Sequence, residues 1–323
     1  MTAIEWTDVT WNPISGCDRV SPGCDNCYAL AMAKRLKAMG QAKYQLDGDP
    51  RTSGPGFAVT THPDALDVPL RLRKPRRIFA VSMGDLFHPQ VTDDFIAQVF
   101  AVMSMCPQHT FQVLTKRARR MVNLLSSSNF WLAVNAARLQ RGVSCLPGGG
   151  PVLLPNLWLG VSAENQEAAK ARIPALLFTP AAVRWVSVEP MLGPVDLLGV
   201  GVDRAKSGMV ADVLAGEYVM PDGERSRIGV SLDWVVCGGE SGISARPIHP
   251  DWARSLRDQC VSTDTPFLFK QWGEWCHSDQ MPEEAYRLLD LKINLSQNHP
   301  NPHRIGKRHA GRELDGQIWD QYP

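Results

Sequence analysis

Short apolar runs recur along the chain, each closed by a polar or glycine-bearing turn. They are Arg77–Val81, Thr110–Leu114, Leu157–Val161, Val183–Val188, Trp234–Cys237 and Pro266–Phe269. These runs carry little apolar–polar alternation and are rich in Val, Ile, Phe, Leu and Trp. That is the pattern of strands buried on both faces. An opening strand near Glu5–Trp11 brings the count to six or seven. Helical periods lie between them. Thr92 has the position of an N-cap, with Asp93 and Asp94 in the first turn and Phe95, Val99 and Met103 on one face. Glu164–Phe178 has helical spacing interrupted by Pro174, and Asp251–Cys260 sets Trp252, Leu256 and Cys260 on one side.

Alternation of strand and helix predicts a parallel sheet in an α/β chain. The strand count points to a partial or complete (β/α) barrel, with an open doubly wound sheet as the other arrangement. The expected organisation is a single domain over residues 1–323, with an insertion at 195–232 and an extension at 271–323. The stretch from Val195 lacks clear periodicity and reads as an excursion or a small β-element. Gln41–Pro63 and Cys145–Pro155 read as further insertions.

In barrels the chemistry sits at the C-terminal ends of the strands. Here those ends are Ser82-Met83-Gly84-Asp85, Thr115-Lys116-Arg117, Ser162-Ala163-Glu164-Asn165, Glu189-Pro190, Gly238-Gly239-Glu240-Ser241 and Lys270-Gln271-Trp272-Gly273. With parallel strands all six turns face one rim, so Glu189 and Asp85 are expected in one cavity with the cysteines described next. The plainer reading makes Ser162 and Asn165 helix caps. Glu189, at the tail of an apolar strand, needs a partner if it is buried.

The sharpest local signal is Cys17, Cys24 and Cys27, spaced C-x6-C-x2-C. Asp25 or Asn26 is placed to cap a helix running from about Cys27 through Leu36 and ending near Gly40. Cys27 would then lie in the first turn, where the helix dipole favours thiolate. Three soft thiolates suit an iron–sulfur cluster or zinc. A closed zinc site needs a fourth ligand from Cys237 or a distant His, since the next histidine is His62. Unliganded thiols are the third reading. Cys237, at a strand end before two glycines, reads first as a buried thiol and second as one facing the site. Cys237 and Lys270 are the candidate catalytic residues of the rim. Cys276 beside His277 is a weaker candidate ligand pair.

Composition narrows the class. The 323 residues are 44% hydrophobic and 21% charged, a normal globular balance. The net charge of +1 removes any general electrostatic case for a nucleic-acid or membrane binder. No apolar run approaches the roughly 18 residues of a membrane span, so no membrane partner is expected. Met1–Thr10 has no signal-peptide pattern, so the cytoplasm is the expected location. In that reducing compartment the 8 cysteines read as thiols or metal ligands.

The stretch Thr10-Trp11-Asn12-Pro13, Gly16-Cys17 and Ser21-Pro22-Gly23-Cys24-Asp25-Asn26-Cys27-Tyr28-Ala29 resembles the start of an uncharacterised phage and prophage family with a three-cysteine motif. Its members are similar to radical S-adenosylmethionine (SAM) enzymes. The resemblance continues through Asp85-Leu86-Phe87-His88, Phe111–Arg117, Trp158–Ser162, Ser187–Pro190, Gly238–Gly242, Phe269–Gly273 and Gly311–Gly316. It implies a partial (β/α)6-type barrel in which Cys17, Cys24 and Cys27 hold a [4Fe–4S] cluster. The fourth iron would be open to SAM, and an electron donor would reduce the cluster to yield a 5′-deoxyadenosyl radical. By strand order, Ser82 and Asp85 would hold the methionine amino group. Ser162, Glu164 and Asn165 would approach the ribose, and Glu189 would line the same wall. Most radical SAM enzymes space their cysteines C-x3-C-x2-C; the first gap here is longer.

Three basic runs, Arg71–Arg77, Lys116–Arg120 and Lys307–Arg312, read as solvated helix ends. The second, on the rim, also suits a phosphate-bearing nucleotide or nucleic-acid substrate. The competing functions are thus a radical SAM-type enzyme, a zinc-stabilised nucleic-acid-binding or scaffold protein without catalysis, and a hydrolase using Glu189, Glu240 and Asp85.

Overall fold

The structure is a computed structural model and describes residues 4–200, 209–220, 222–288 and 302–323. Seven strands form the main sheet: β1 (Val9–Trp11), β2 (Arg77–Ala80), β3 (Thr110–Thr115), β4 (Leu157–Ser162), β5 (Val183–Val188), β6 (Trp234–Gly238) and β7 (Phe267–Gln271). Their order across the sheet is their order in the chain. The pairings β1–β2, β2–β3, β3–β4 and β6–β7 are parallel. A doubly wound sheet must reverse its strand order at a switch point. This one never reverses, so the doubly wound alternative is excluded, and the order is compatible with a partial barrel. All seven strands coincide with the apolar runs to within a few residues, because strands covered on both faces must be apolar along their whole length.

Six main helices accompany the strands: α1 (Tyr28–Ala38), α2 (Asp93–Ser104), α3 (Ala118–Leu125), α4 (Ser128–Leu139), α5 (Gln166–Leu177) and α6 (Pro250–Ser262). Thr92 caps α2 as expected, its hydroxyl accepting from the Phe95 N–H at 3.3 Å. Helices α3 and α4 fall in a stretch where the sequence offered only the basic run Lys116–Arg120 as a helix end. No described helix is long and apolar enough to cross a membrane.

The chain divides into two compact units. The first comprises residues 1–161 and 172–185. Its core is aromatic: Phe100 of α2 meets Phe130 and Trp131 of α4 at centroid distances of 5.3 and 6.0 Å. Trp6 packs edge-on against Phe79 at 4.6 Å and Trp185 at 5.2 Å. Gly160 is required in β4 because a Cβ there would stand 2.4 Å from the Trp185 ring.

The second unit comprises residues 162–171 and 186–323. Within the expected insertion, Val210–Asp212, Glu217–Val219 and Arg225–Arg227 form a three-stranded antiparallel sheet, so the small β-element is real. Its residues 201–208 and 221 lie outside the described residues, as do 289–301 of the extension. The tail of that extension runs antiparallel along β7. The Phe269 N–H donates to the Trp319 carbonyl at 3.0 Å, and the Gln321 N–H donates to the Phe267 carbonyl at 3.2 Å. The outer edge of β7 is thereby covered, which removes an exposed sheet edge. Arg254 and Arg257 of α6 hold the Asp315 turn at 2.8 and 2.5 Å.

Candidate functional site

The first unit holds the three cysteines. The backbone first places Cys17. Gly16 donates its N–H to the Met83 carbonyl at 2.9 Å and pairs with Gly84 in a parallel bridge. A Cβ on Gly16 would stand 2.1 Å from the Ala58 carbonyl oxygen, and one on Gly84 would stand 2.9 Å from the Gly16 oxygen. Both glycines are therefore demanded by close backbone approach. From Cys17 the chain reaches a 3-10 turn at Pro22–Cys24, then Cys27. Cys27 is itself the N-cap of α1, one residue ahead of its expected place in the first turn, and neither Asp25 nor Asn26 caps the helix. The helix ends at Ala38, with Gly40 in the left-handed region at φ +71°, as the sequence indicated.

All three thiols are half-buried and unpaired with one another. Burial pushes the Cys17 thiol up to about 12, reinforced by the Asp85 carboxylate and opposed by Arg117. Burial also raises Cys27, while the Ala29 and Leu30 amides and Lys116 act in the other direction. Cys17 and Cys27 each feel the charge of Cys24. The Cys17 and Cys27 thiolates need a cation or metal to form.

The turn after β2 is tied to this loop. Asn12 holds it: its side chain exchanges hydrogen bonds with the Ser82 hydroxyl at 3.1 and 3.2 Å and accepts from the Met83 N–H at 3.1 Å. The Tyr28 hydroxyl donates to the Ser82 carbonyl. Val81, a buried β-branched residue, sits at φ +64°. That conformation costs about 1–3 kcal/mol and marks a turn held by its surroundings. Asp85 is buried and heavily engaged. It accepts from the Thr115 hydroxyl at 2.7 Å, the Phe87 N–H at 2.9 Å, the Lys116 N–H at 3.2 Å and Arg117 Nη1 at 3.1 Å. The next residue to Cys17, Asp18, bonds the Thr52 hydroxyl at 2.6 Å and His88 Nε2 at 3.0 Å, contacts that hold its carboxyl below the usual range.

Of the basic run after β3, two arginines are spent inside the unit. Arg117 reaches Cys17, and Arg120 bonds the His88 and Val91 carbonyls and Asp93. Arg119 is exposed and Lys116 half-buried.

The second unit holds the other rim residues. Glu189 Oε1 and Lys270 Nζ form an ion pair at 2.6 Å, with side chains 19% and 14% exposed, so Glu189 has the partner its position demanded. The Ser162 hydroxyl donates to the Glu189 carbonyl at 3.3 Å. Glu164 is fully buried, and its carbonyl accepts from the Leu192 N–H at 2.7 Å. Asn165 caps α5: its side-chain oxygen accepts from the Ala168 N–H at 2.9 Å. Cys237 is completely buried with its Sγ 3.6 Å from Met191 Sδ, and burial raises its thiol well above the usual value. Those are the surroundings of a structural thiol, not of an activated nucleophile. Gly239 serves the chain's own packing, since a Cβ there would lie 1.9 Å from the Trp272 carbonyl oxygen. Cys276 and His277 are both buried, and burial pushes the Cys276 thiol up to about 12.

Sequence reasoning passed over Asn12 as the brace of the Ser82 turn and Arg117 as the cation on Cys17. Arg117 stands 100 positions from Cys17, and no local pattern links them.

Among the described residues no three His, Cys, Asp or Glu side chains converge tightly enough to hold a metal ion. The donor set, three thiols on one segment, is of the kind that either zinc or an iron–sulfur cluster takes.

Fold and site together define a mixed α/β protein with an unreversed, sequentially ordered sheet and a three-thiol loop ahead of its first main helix. Residues 1–323 match the family described as Protein of unknown function (DUF5131), and the chain belongs to that family. No curated protein and no solved structure matches it.

Proposed function

We propose that this chain is a radical SAM-type iron–sulfur enzyme acting on a nucleotide or nucleic-acid substrate. The observation that carries the reading is the three-thiol loop at the N-terminus of α1, braced against the turn that follows β2. Cys17, Cys24 and Cys27 would hold a [4Fe–4S] cluster, leaving one iron for SAM. When bound and reduced by an external donor, the cluster would supply one electron to the SAM sulfonium, whose C5′–S bond breaks to give methionine and a 5′-deoxyadenosyl radical.

The chain's own residues do the positioning. Asn12 and Tyr28 fix the Ser82 turn, where hydroxyl and carbonyl oxygens suit an ammonium group. Lys116 and Arg119, the cations of the second basic run not spent on packing, suit a substrate phosphate. The unreversed strand order supports the partial-barrel arrangement of such enzymes.

Anaerobic reconstitution tests the reading. Iron and sulfide should bind with a brown colour, and SAM with dithionite should yield 5′-deoxyadenosine. Cys17→Ala, Cys24→Ala and Cys27→Ala should each lose the cluster. Colourless protein carrying stoichiometric zinc would instead establish a structural metal site.

A further inference from the structure

We infer that Arg117 sets the reduction potential of the cluster through Cys17, with Asp85 as its counterweight. The inference rests on the cluster reading above and gives Asp85, which the family resemblance set against the methionine amino group, a different task beside Arg117.

Arg117 Nη1 carries two N–H groups. One donates to Cys17 Sγ, at 3.3 Å, and the other to Asp85 Oδ2, at 3.1 Å. Nη2 donates to the Asp18 carbonyl at 3.1 Å. The Arg117 backbone N–H is held by the Thr115 hydroxyl at 2.8 Å, and the same hydroxyl donates to Asp85 at 2.7 Å. The guanidinium is therefore fixed from several sides. Its side chain is 11% exposed and that of Asp85 7%, so solvent screens this charge pair little.

Adding one electron makes a cluster and its thiolates more negative. A cation donating a hydrogen bond to a ligating sulfur stabilises that form and raises the potential. A buried carboxylate beside the cation opposes it. The two residues thus act with opposite sign on one sulfur. Arg117 is a positioning residue by this argument, since it acts through Cys17.

The test is the midpoint potential of the reconstituted cluster without SAM, followed by electron paramagnetic resonance. In Arg117→Gln the reduction equilibrium should shift about tenfold toward the oxidised cluster, which is about 59 mV for one electron. Asp85→Asn should shift it in the opposite direction. Arg73→Gln, on an exposed arginine of the same unit, should leave it unchanged. Loss of packing alone would not produce opposite signs. Arg117→Lys should restore part of the loss. If Arg117→Gln fails to fold, the wild-type protein decides: with ¹⁵N-labelled arginine the reduced cluster should show nitrogen hyperfine coupling. An intact cluster whose potential is unmoved by Arg117→Gln, shifts of equal sign in the two variants, or no such coupling would overturn the inference. Wild-type protein that binds no iron would fail at the preceding proposal, and this inference would fall with it.

Discussion

Gly16 offers a sharp test of how the cysteine loop is built. Its φ of +87° lies in the left-handed region, and a Cβ would stand 2.1 Å from the Ala58 oxygen and 2.6 Å from the Val59 nitrogen. Gly40 has nearly the same backbone, φ +71°, yet a Cβ there would meet nothing within 4 Å. Alanine in a left-handed conformation costs about 1–2 kcal/mol. Reduced freedom of the unfolded chain returns about 0.4–1 kcal/mol. Gly40→Ala should therefore destabilise by about 1 kcal/mol. Gly16→Ala carries the same strain and must also displace backbone, an overpacking cost of about 1–3 kcal/mol. Its total should be about 3 kcal/mol. With a urea slope of about 3 kcal/mol/M, the midpoints should fall by about 0.3 M for Gly40→Ala and about 1 M for Gly16→Ala. Urea unfolding followed by circular dichroism reads both. Because Gly16 abuts Cys17, the second variant should also bind less iron after reconstitution. Equal midpoints for the two variants would refute the steric argument.

The remaining predictions concern the second unit. Asp315, held by Arg254, Arg257 and Gln280 against the effect of its partial burial, has its carboxyl lowered from 3.8 to about 2. A depressed carboxyl contributes stability above about 3.8 that is lost as pH falls through about 2. Discounted for its exposure, Asp315→Asn should cost about 1 kcal/mol at pH 7 and close to nothing at pH 2, measured by thermal unfolding at both. Lys270→Met, which strands the enclosed Glu189 carboxylate, should destabilise by about 2–3 kcal/mol, and adding Glu189→Gln should recover most of it. A double-mutant cycle with coupling near zero would show that the pair does not act as a unit.

Much of the architecture was legible along the chain because its causes are local. A strand covered on both faces must be apolar throughout, so Thr110–Thr115 and Val183–Val188 stand out without knowledge of their neighbours. A cap needs only a hydroxyl and an amide three residues on, as at Thr92. The C-x6-C-x2-C loop is visible because its sulfurs lie on one short segment. What folding alone decided are charges and contacts between residues far apart in sequence. Whether Glu189 meets Lys270, 81 positions away, depends on which strands carry them within the second unit. Cys237 ends a strand in a rim-like sequence, but its burial beside Met191 is set by packing that no local pattern records. Gly16 looks like any turn glycine until the Ala58 carbonyl arrives beside it. Arg117, one of four cations in a run of five, differs from Arg119 only because one side chain is enclosed and the other faces water. Sequence determines which groups exist and the local backbone that presents them; long-range packing decides which pair, because burial and proximity set the strength of every charge interaction.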